Sequence, residues 1–595
     1  MNERSRLLRR IHDDDRGAAL LTVLGISLVL LILIAIGASW SLSGLRKAGT
    51  DNDGSAALAA AYAGADEYTS RLANDATYHK YGNTASAFTV ASGSTVVAPA
   101  SANPAFNVTA GTPWADVAGS SGRASFRYEV DNSSFDRSGV IRIRSTGKVG
   151  TQVRSIIVNI KQKGFIDYLW FTDYEFGDPM FNSGTCPGPP YRHDWEPGGR
   201  PSGCVDINFQ NGDEMHGPAH SNDQMRICDS KWYGAITTAD PRTPNWYDCG
   251  TQVFDQGAPV SVASQPMPPT NSEMKAEVRV DLPATVARPG CLYTGPTTIT
   301  FNSTGTMTVI SPWTRVTQPS YTSGIASKSP AECGSIAALN SYAGATIPVI
   351  DHNLIYVQDV PSATGTGIEP NRPTSASYLP TAFTCTGTGA SSGWQFRQVA
   401  GNPWPRIGFP YYGNSTATTE TVPGAPESSA TNPAYECRRG DVFVRGQVDG
   451  AVTIAATTVY VTGDIRYVDS NDDVLGLVGE NSVWVWNPMR STTAINPNGT
   501  GDRRIDAAIL SVNHVFQVQN KSIGGERGDL IVNGAIAQKF RGIVYDGGGY
   551  IKKYNYDAKF KSIAPPKFLT PTTTTYGVTQ YASTSPAFTS TGAPN

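Results

Sequence analysis

From Ala18 to Leu45 the chain carries no charged residue, and its centre reads Leu20-Leu21-Thr22-Val23-Leu24-Gly25-Ile26-Ser27-Leu28-Val29-Leu30-Leu31-Ile32-Leu33-Ile34. A helix that is apolar on every side suits a bilayer better than a globular surface. These 28 residues would span about 42 Å as a helix, against a hydrocarbon core of about 30 Å. Leu42 falls inside this predicted transmembrane segment, and Trp40 sits near its far end, where an indole favours the headgroup layer. Arg4, Arg6, Arg9, Arg10 and Arg16 precede the segment, whereas only Arg46 and Lys47 follow it closely. That bias predicts a cytoplasmic N-terminus, a single membrane pass and an extracellular bulk. The apolar run is longer than the 7–15 residues or so of a cleaved secretory signal.

The period then changes. Leu58, Tyr62, Ala65, Tyr68 and Leu72 recur at spacings of three and four within the Ala-rich run Ser55–Ala76, which predicts a continuing helix with one apolar face. Asp51-Asn52-Asp53-Gly54 is expected to break it into halves. Beyond residue 77 the pattern turns to period two. Phe126, Tyr128 and Val130, then Ile141 and Ile143, then Ile156, Val158 and Ile160 alternate with more polar positions. Turn signals at Ser138-Gly139 and Gly147 make this an antiparallel meander over 77–163, its apolar face expected on the helix.

Phe165–Phe171 opens a larger region, 164–568, of short apolar strands punctuated by glycine. Val444-Arg445-Gly446-Gln447-Val448, Val461-Thr462-Gly463-Asp464-Ile465 and Val532-Asn533-Gly534-Ala535-Ile536 share one pattern. Gly217 and Gly234 repeat the 17-residue spacing of Gly446 and Gly463. Stacked coils of a parallel β-solenoid are expected, with Gly446 and Gly463 at equivalent corners; an irregular sandwich is the alternative. The repeat fades over about 237–437, read as a disulfide-rich insertion. Residues 569–595, rich in Thr, Ser and Pro, predict a flexible tail. The fold class is thus α+β: a long helix, a small meander and a large mainly-β region.

Composition changes this picture in two ways. Charged residues make up 16%, against about 25% in ordinary soluble proteins, as befits an extracellular, turn-rich β protein. The net charge of -3 supplies no electrostatic case for nucleic acid. All eight cysteines, Cys186, Cys204, Cys228, Cys249, Cys291, Cys333, Cys385 and Cys437, lie in one region, and none has C-x-x-C spacing. They are candidates for disulfides made outside the cytoplasm rather than for zinc.

Arg16-Gly17 followed by Ala18-Ala19-Leu20-Leu21 resembles the leader junction of type IV pilins and pseudopilins. The Ala-Ala-Tyr-Ala-Gly-Ala-Asp-Glu run after Arg46 and Lys47 looks most like the PilX type of minor pilin. The resemblance covers residues 1–163. It implies a leader peptide 1–17, cut between Gly17 and Ala18 by a prepilin peptidase, a helix over 18–76, and other pilin subunits as partners. Most pilins carry Glu at the fifth mature position; Thr22 stands there, which argues against a major, repeating subunit.

Chemistry is scarce. His216 and His220 lie near Asp213, Glu214 and Asp223, but Gly217-Pro218 forbids the helix a zincin needs. Asp469, Asn471 and Asp473 alternate like calcium ligands without the rest of an EF-hand loop. Asp472-Asp473 and His216-Gly217 resemble fragments of a polygalacturonase pattern in reverse order. Trp484 and Trp486 share one side of a strand, as core or as an exposed platform. No cofactor and no metal is expected. The reading is a non-catalytic, membrane-anchored surface structural or adhesion protein with a minor-pilin-like N-terminus, which meets a surface ligand. A membrane-tethered carbohydrate-active enzyme on a β-helix is its rival.

Overall fold

The computed structural model describes residues 4–99, 103–108, 113–135, 139–181, 186–282, 289–380, 383–386, 393–396, 435–490, 492–494, 501–571 and 575–595. One helix of 71 residues, Arg4–Asn74, opens the chain. It runs without interruption through Asp51-Asn52-Asp53-Gly54, where a break was expected. A glycine costs a helix only about 1 kcal/mol, and Gly54 is buried on the face that packs against the protein.

Two compact units follow from the chain's own contacts. The first comprises residues 1–133, 141–160 and 578–595, and the second comprises 134–140 and 161–577. In the first unit, strands Ala124–Asp131, Val140–Val149 and Gln152–Lys163 form the expected meander. Phe126 pairs with Gly147 and Tyr128 with Ser145. Phe126, Tyr128, Val130, Ile141, Ile143, Ile156, Val158 and Ile160 are all buried, as their alternation requires.

The helix face set against this sheet is Ala57, Ala61, Ala65, Tyr68 and Leu72, with Gly64 between them. Leu58 is only partly buried and Tyr62 is exposed, so the true stripe is smaller-sided than the one the larger residues suggested. Small residues let the backbones approach: a Cβ on Gly64 would lie 2.5 Å from Ser145 Oγ. Ser145 Oγ donates to the Ala61 carbonyl at 2.7 Å.

The C-terminal segment is not a flexible tail. Thr575–Thr584 is a strand on the edge of the same sheet, beside Gln152–Lys163. Ser155 Oγ accepts from the Ala587 N–H at 3.0 Å, and the Phe588 ring meets Trp114. An edge strand needs backbone pairing more than a hydrophobic core, and its Thr, Tyr and Val residues favour extended backbone. The second unit is therefore inserted between two strands of the first unit's sheet.

Within the second unit the dominant pairing is parallel. One ladder joins, in spatial order, strands Cys291–Thr294, Asn353–Gln358, Ala451–Ala456, Val474–Gly479, Arg503–Ser511, Gly525–Arg541, Trp170–Gly177, Ala219–Ser221, Ile236–Thr238 and Val260–Ser261. A second runs from Thr297–Asn302 through Asp441–Val448, Thr458–Tyr467 and Val483–Val485 to Phe516–Val518. A third aligns Gly446, Ile465, Ile505, Val532, Tyr554, Met215, Trp232 and Phe254. The inward residues of all three share one core, which includes Val444, Val461, Ile465, Ile509, Val532 and Tyr554.

The order of the first ladder is not the order of the chain. The chain enters mid-stack at Trp170, climbs to Ser261, and turns back along the stack over 262–282. It begins again at Cys291 at the opposite end and works inward until Gly525–Arg541 lies beside Trp170–Gly177. On the way, Met274 and Val278 of the crossing segment cover outward residues Leu292, Leu354, Ala455 and Leu510.

Two sequence expectations need correction here. The stretch 237–437 is not wholly an insertion outside the repeat, because 291–302 and 353–358 are full members of the ladders. Gly446 and Gly463 do not stack: Val444 pairs with Val461, but a bulge then sets Gly446 opposite Ile465. Gly217 and Gly234 do stack, since a Cβ on Gly234 would lie 2.1 Å from the Gly217 carbonyl.

Candidate functional site

Among the described residues, helix positions 19–50 are exposed throughout. Leu20 through Leu45 are exposed, Trp40 by 77%. Nothing lies within 4 Å of a Cβ built on Gly25, Gly37, Gly44 or Gly49. Gly17 and Ala18 are helical, and their side chains lie outside the described residues. Thr22 Oγ1 bonds back to the Ala19 carbonyl at 3.0 Å, so its hydroxyl is satisfied within the helix. Among the described residues this is the one helix long and apolar enough to cross a membrane. Burying such a surface in lipid or against similar helices would relieve its contact with water.

At the other end of the helix, polar groups fix its seat. Tyr128 Oη donates to Glu67 Oε2 at 2.9 Å and accepts from Asn103 Nδ2 at 2.6 Å. Burial, with Glu67 close by, holds the Tyr128 phenol well above its ordinary pKa, so the ring stays neutral and a donor.

The candidate chemical groups of the second unit are scattered. His216 is exposed and stacks on Tyr233 with ring centroids 4.2 Å apart. His220 is buried, stacked on Phe171 and in tilted contact with Tyr168, with its nitrogens bonded to Thr237 and Asn222. Burial pushes its pKa down to about 4. Asp213 pairs with Lys552, and Glu214 with Lys231. Asp223 is clamped by Arg200 and by the backbone N–H groups of Glu175 and Asp194; burial holds its carboxyl above the usual range despite that company. No group of three or more His, Cys, Asp or Glu among the described residues is arranged to hold a metal.

The acidic turn is similarly occupied. Asp473 accepts from the Gly450 and Asp469 N–H groups, and Asp469 accepts from Asn471. These carboxylates close a loop. Trp484 and Trp486 are buried among Phe176, Tyr435, Phe443 and Tyr460, so they are core and not a platform.

Three disulfides join sequence neighbours, Cys186–Cys204, Cys228–Cys249 and Cys291–Cys333. Cys437 is disulfide-bonded as well, and the Cys385 side chain lies outside the described residues. The feature that sequence reading missed is the end of the stack at 246–262. Val253, Val260 and Val262 are exposed there, and so is Tyr247. Short runs such as Gln252–Phe254 carry too little periodicity to announce a strand.

No family model and no curated protein matches the chain. Among solved structures, the crystal structure of the competence-associated pilin ComZ from Thermus thermophilus is similar over 89% of this chain and 97% of that one, at 11% identity and a TM-score of 0.22.

Proposed function

We propose that this chain is a non-catalytic, minor-pilin-like surface protein of a type IV pilus-like system, of the PilX kind, anchored by its N-terminal helix and used in adhesion. The observation that carries the proposal is the division of one helix into two halves. Residues 19–45 offer apolar side chains on all sides, while Ala57–Leu72 seats a small antiparallel sheet. A membrane anchor alone needs only the first half. A helix that passes unbroken into a head suits a subunit that partitions first in lipid and then among like helices.

In this reading residues 1–17 are a leader, removed by a prepilin peptidase between Gly17 and Ala18. The N-terminus starts in the cytoplasm, and residues 46–595 lie outside. The second unit is a parallel β-solenoid, held out for contact with a surface ligand. Its acidic groups, Asp213, Asp223, Asp469 and Asp473, stabilise loops and coils and perform no catalysis.

N-terminal sequencing after co-expression with a prepilin peptidase tests the proposal. The mature chain is expected to begin at Ala18, and Gly17→Leu to leave the full-length form in the membrane. A wild-type N-terminus of Met1 in the presence of active peptidase would leave a plain membrane anchor as the better reading.

A further inference from the structure

The two ends of the parallel stack are built differently. At the Cys291 end, Thr306–Ile310 pairs antiparallel with Thr297–Asn302, and Ala345–Pro348 pairs antiparallel with Thr306–Ile310. Leu339, Cys333 and Ile347 plug the core, and the Cys291–Cys333 disulfide fastens the plug. At the other end, strands Trp246–Asp248, Val253–Phe254 and Val260–Ser261 each pair along one edge only among the described residues. Nothing among the described residues continues the ladders beyond them.

The direction of the last backbone groups follows from the hydrogen bonds made. Val253 and Asp255 send their N–H groups inward to the Ser230 and Trp232 carbonyls, and Val262 sends its N–H to Thr238. Successive residues of a strand point their backbone groups to opposite edges. The N–H and C=O of Phe254 and of Ser261 therefore face the open edge. Val253 and Val260 beside them are exposed by 47% and 61%.

Charge narrows the occupant. No Lys or Arg occurs between Thr243 and Met274, while Asp248 and Asp255 stand exposed on the terminal coil. The nearest cations are engaged: Arg242 with Asp240, Arg226 with Asp206 and Lys231 with Glu214. A second copy meeting this end with its own would set carboxylates against carboxylates, which is unfavourable.

We infer that the open end at 246–262 is a docking edge for an extended polypeptide segment bearing Lys or Arg, which adds as the next strand. Main-chain hydrogen bonds to Phe254 and Ser261 would hold it, Val253 and Val260 would take its alternate apolar side chains, and Asp248 and Asp255 its cations. This gives the display reading a class of partner, and it stands apart from how the chain is anchored or processed.

The test uses the full chain in nanodiscs with three labelled nine-residue peptides: alternating Val and Lys, the same with Glu for Lys, and the Val/Lys peptide N-methylated at alternate residues. Saturable binding is expected for the Val/Lys peptide, at least tenfold weaker binding for the Glu peptide, and none for the N-methylated one. The double variant Asp248→Lys, Asp255→Lys should reverse the preference between Lys and Glu, with an unchanged thermal transition. Hydrogen exchange should show new protection at 246–262 on binding. Equal binding of the N-methylated peptide, indifference to the charge reversal, or protection elsewhere would overturn the inference. So would efficient cross-linking of Val260→Cys into homodimers, because a second copy would then hold the edge.

Discussion

A Cβ atom placed on Gly147 would lie 2.1 Å from the carbonyl oxygen of Ala57 and 2.3 Å from the Ala61 nitrogen. The long helix thus rests its backbone directly on a strand of the first unit, at a point where no side chain fits. Neighbouring positions use the same device, since Gly64 faces Phe126 and Ser145 at 2.8 and 2.5 Å. Gly147→Ala is expected to push the helix off the sheet and to cost about 1–3 kcal/mol, the range for overpacking a filled contact. Denaturant titration followed by the near-ultraviolet signal of the Tyr68–Tyr128 cluster would read that loss. Gly44→Ala, with nothing within 4 Å, should leave the midpoint unchanged.

The strand Thr575–Thr584 closes a sheet whose other strands end more than four hundred positions earlier. A chain stopped after Gly577 loses the bond between Asn159 and Gln580, the Ala587 bond to Ser155 and the Phe588 ring on Trp114. Amides of 152–160 should then exchange faster with solvent, while those of 441–556 keep their protection. Faster exchange throughout 441–556 would show that the inserted unit depends on this closure for its own fold.

Local patterns were legible where one face is buried and the other is not. Ile141 and Ile143, or Phe126 and Tyr128, announced their strands because the period of two sorts core from solvent. The apolar helix was legible for a simpler reason: the run Leu20–Ile34 carries no charge and is apolar on every side. The order of the stack was not legible. Gly525–Arg541 pairs with Trp170–Gly177, and a parallel pairing between such distant segments leaves no trace in either. The glycine repeat was half right for a physical reason. Gly234 must be glycine because Gly217 lies under it, whereas the bulge after Val444 slid the Gly446 pattern out of step. Asp248, Asp255 and Val260 look like ordinary loop residues until their strands are seen to end a ladder.

His220 predicts a pH dependence. Its folded pKa of about 4 lies below the ordinary value of 6.5, because burial between Phe171 and Tyr168 disfavours the imidazolium. A depressed pKa means that stability from this site is complete above about pH 6.5 and is lost as pH falls toward 4. The shift corresponds to roughly 3 kcal/mol over that window. His220→Gln keeps partners for Thr237 and Asn222 without titrating. Between pH 7.5 and 4 its denaturation midpoint should fall less steeply than that of the wild type. Parallel slopes for the two proteins would mean that His220 takes up no proton on unfolding.

The joint between the two halves of the stack offers the sharpest test. Arg541, at the end of the strand arriving from the C-terminal side, places Nη1 2.9 Å from Glu175 Oε2 on the strand that opens the N-terminal side. Both side chains are buried, and the guanidinium lies over the Phe209 ring with its carbon 3.4 Å from the centroid. Removing one partner strands a charge in a medium that solvates it poorly, at a cost of about 3–5 kcal/mol. Arg541→Met should therefore destabilise the second unit by about that amount and open the pairing of Ile536 with Trp170 first. Adding Glu175→Gln removes the orphaned charge, so the double variant should recover most of the loss. Measured as a double-mutant cycle in urea, a large favourable coupling is expected, with hydrogen exchange at 170–174 and 536–540 following the same order. Additive losses would show that Glu175 and Arg541 do not act as a pair, and that the joint is held by backbone pairing, the Arg541 contact with Phe209 and the shared apolar core.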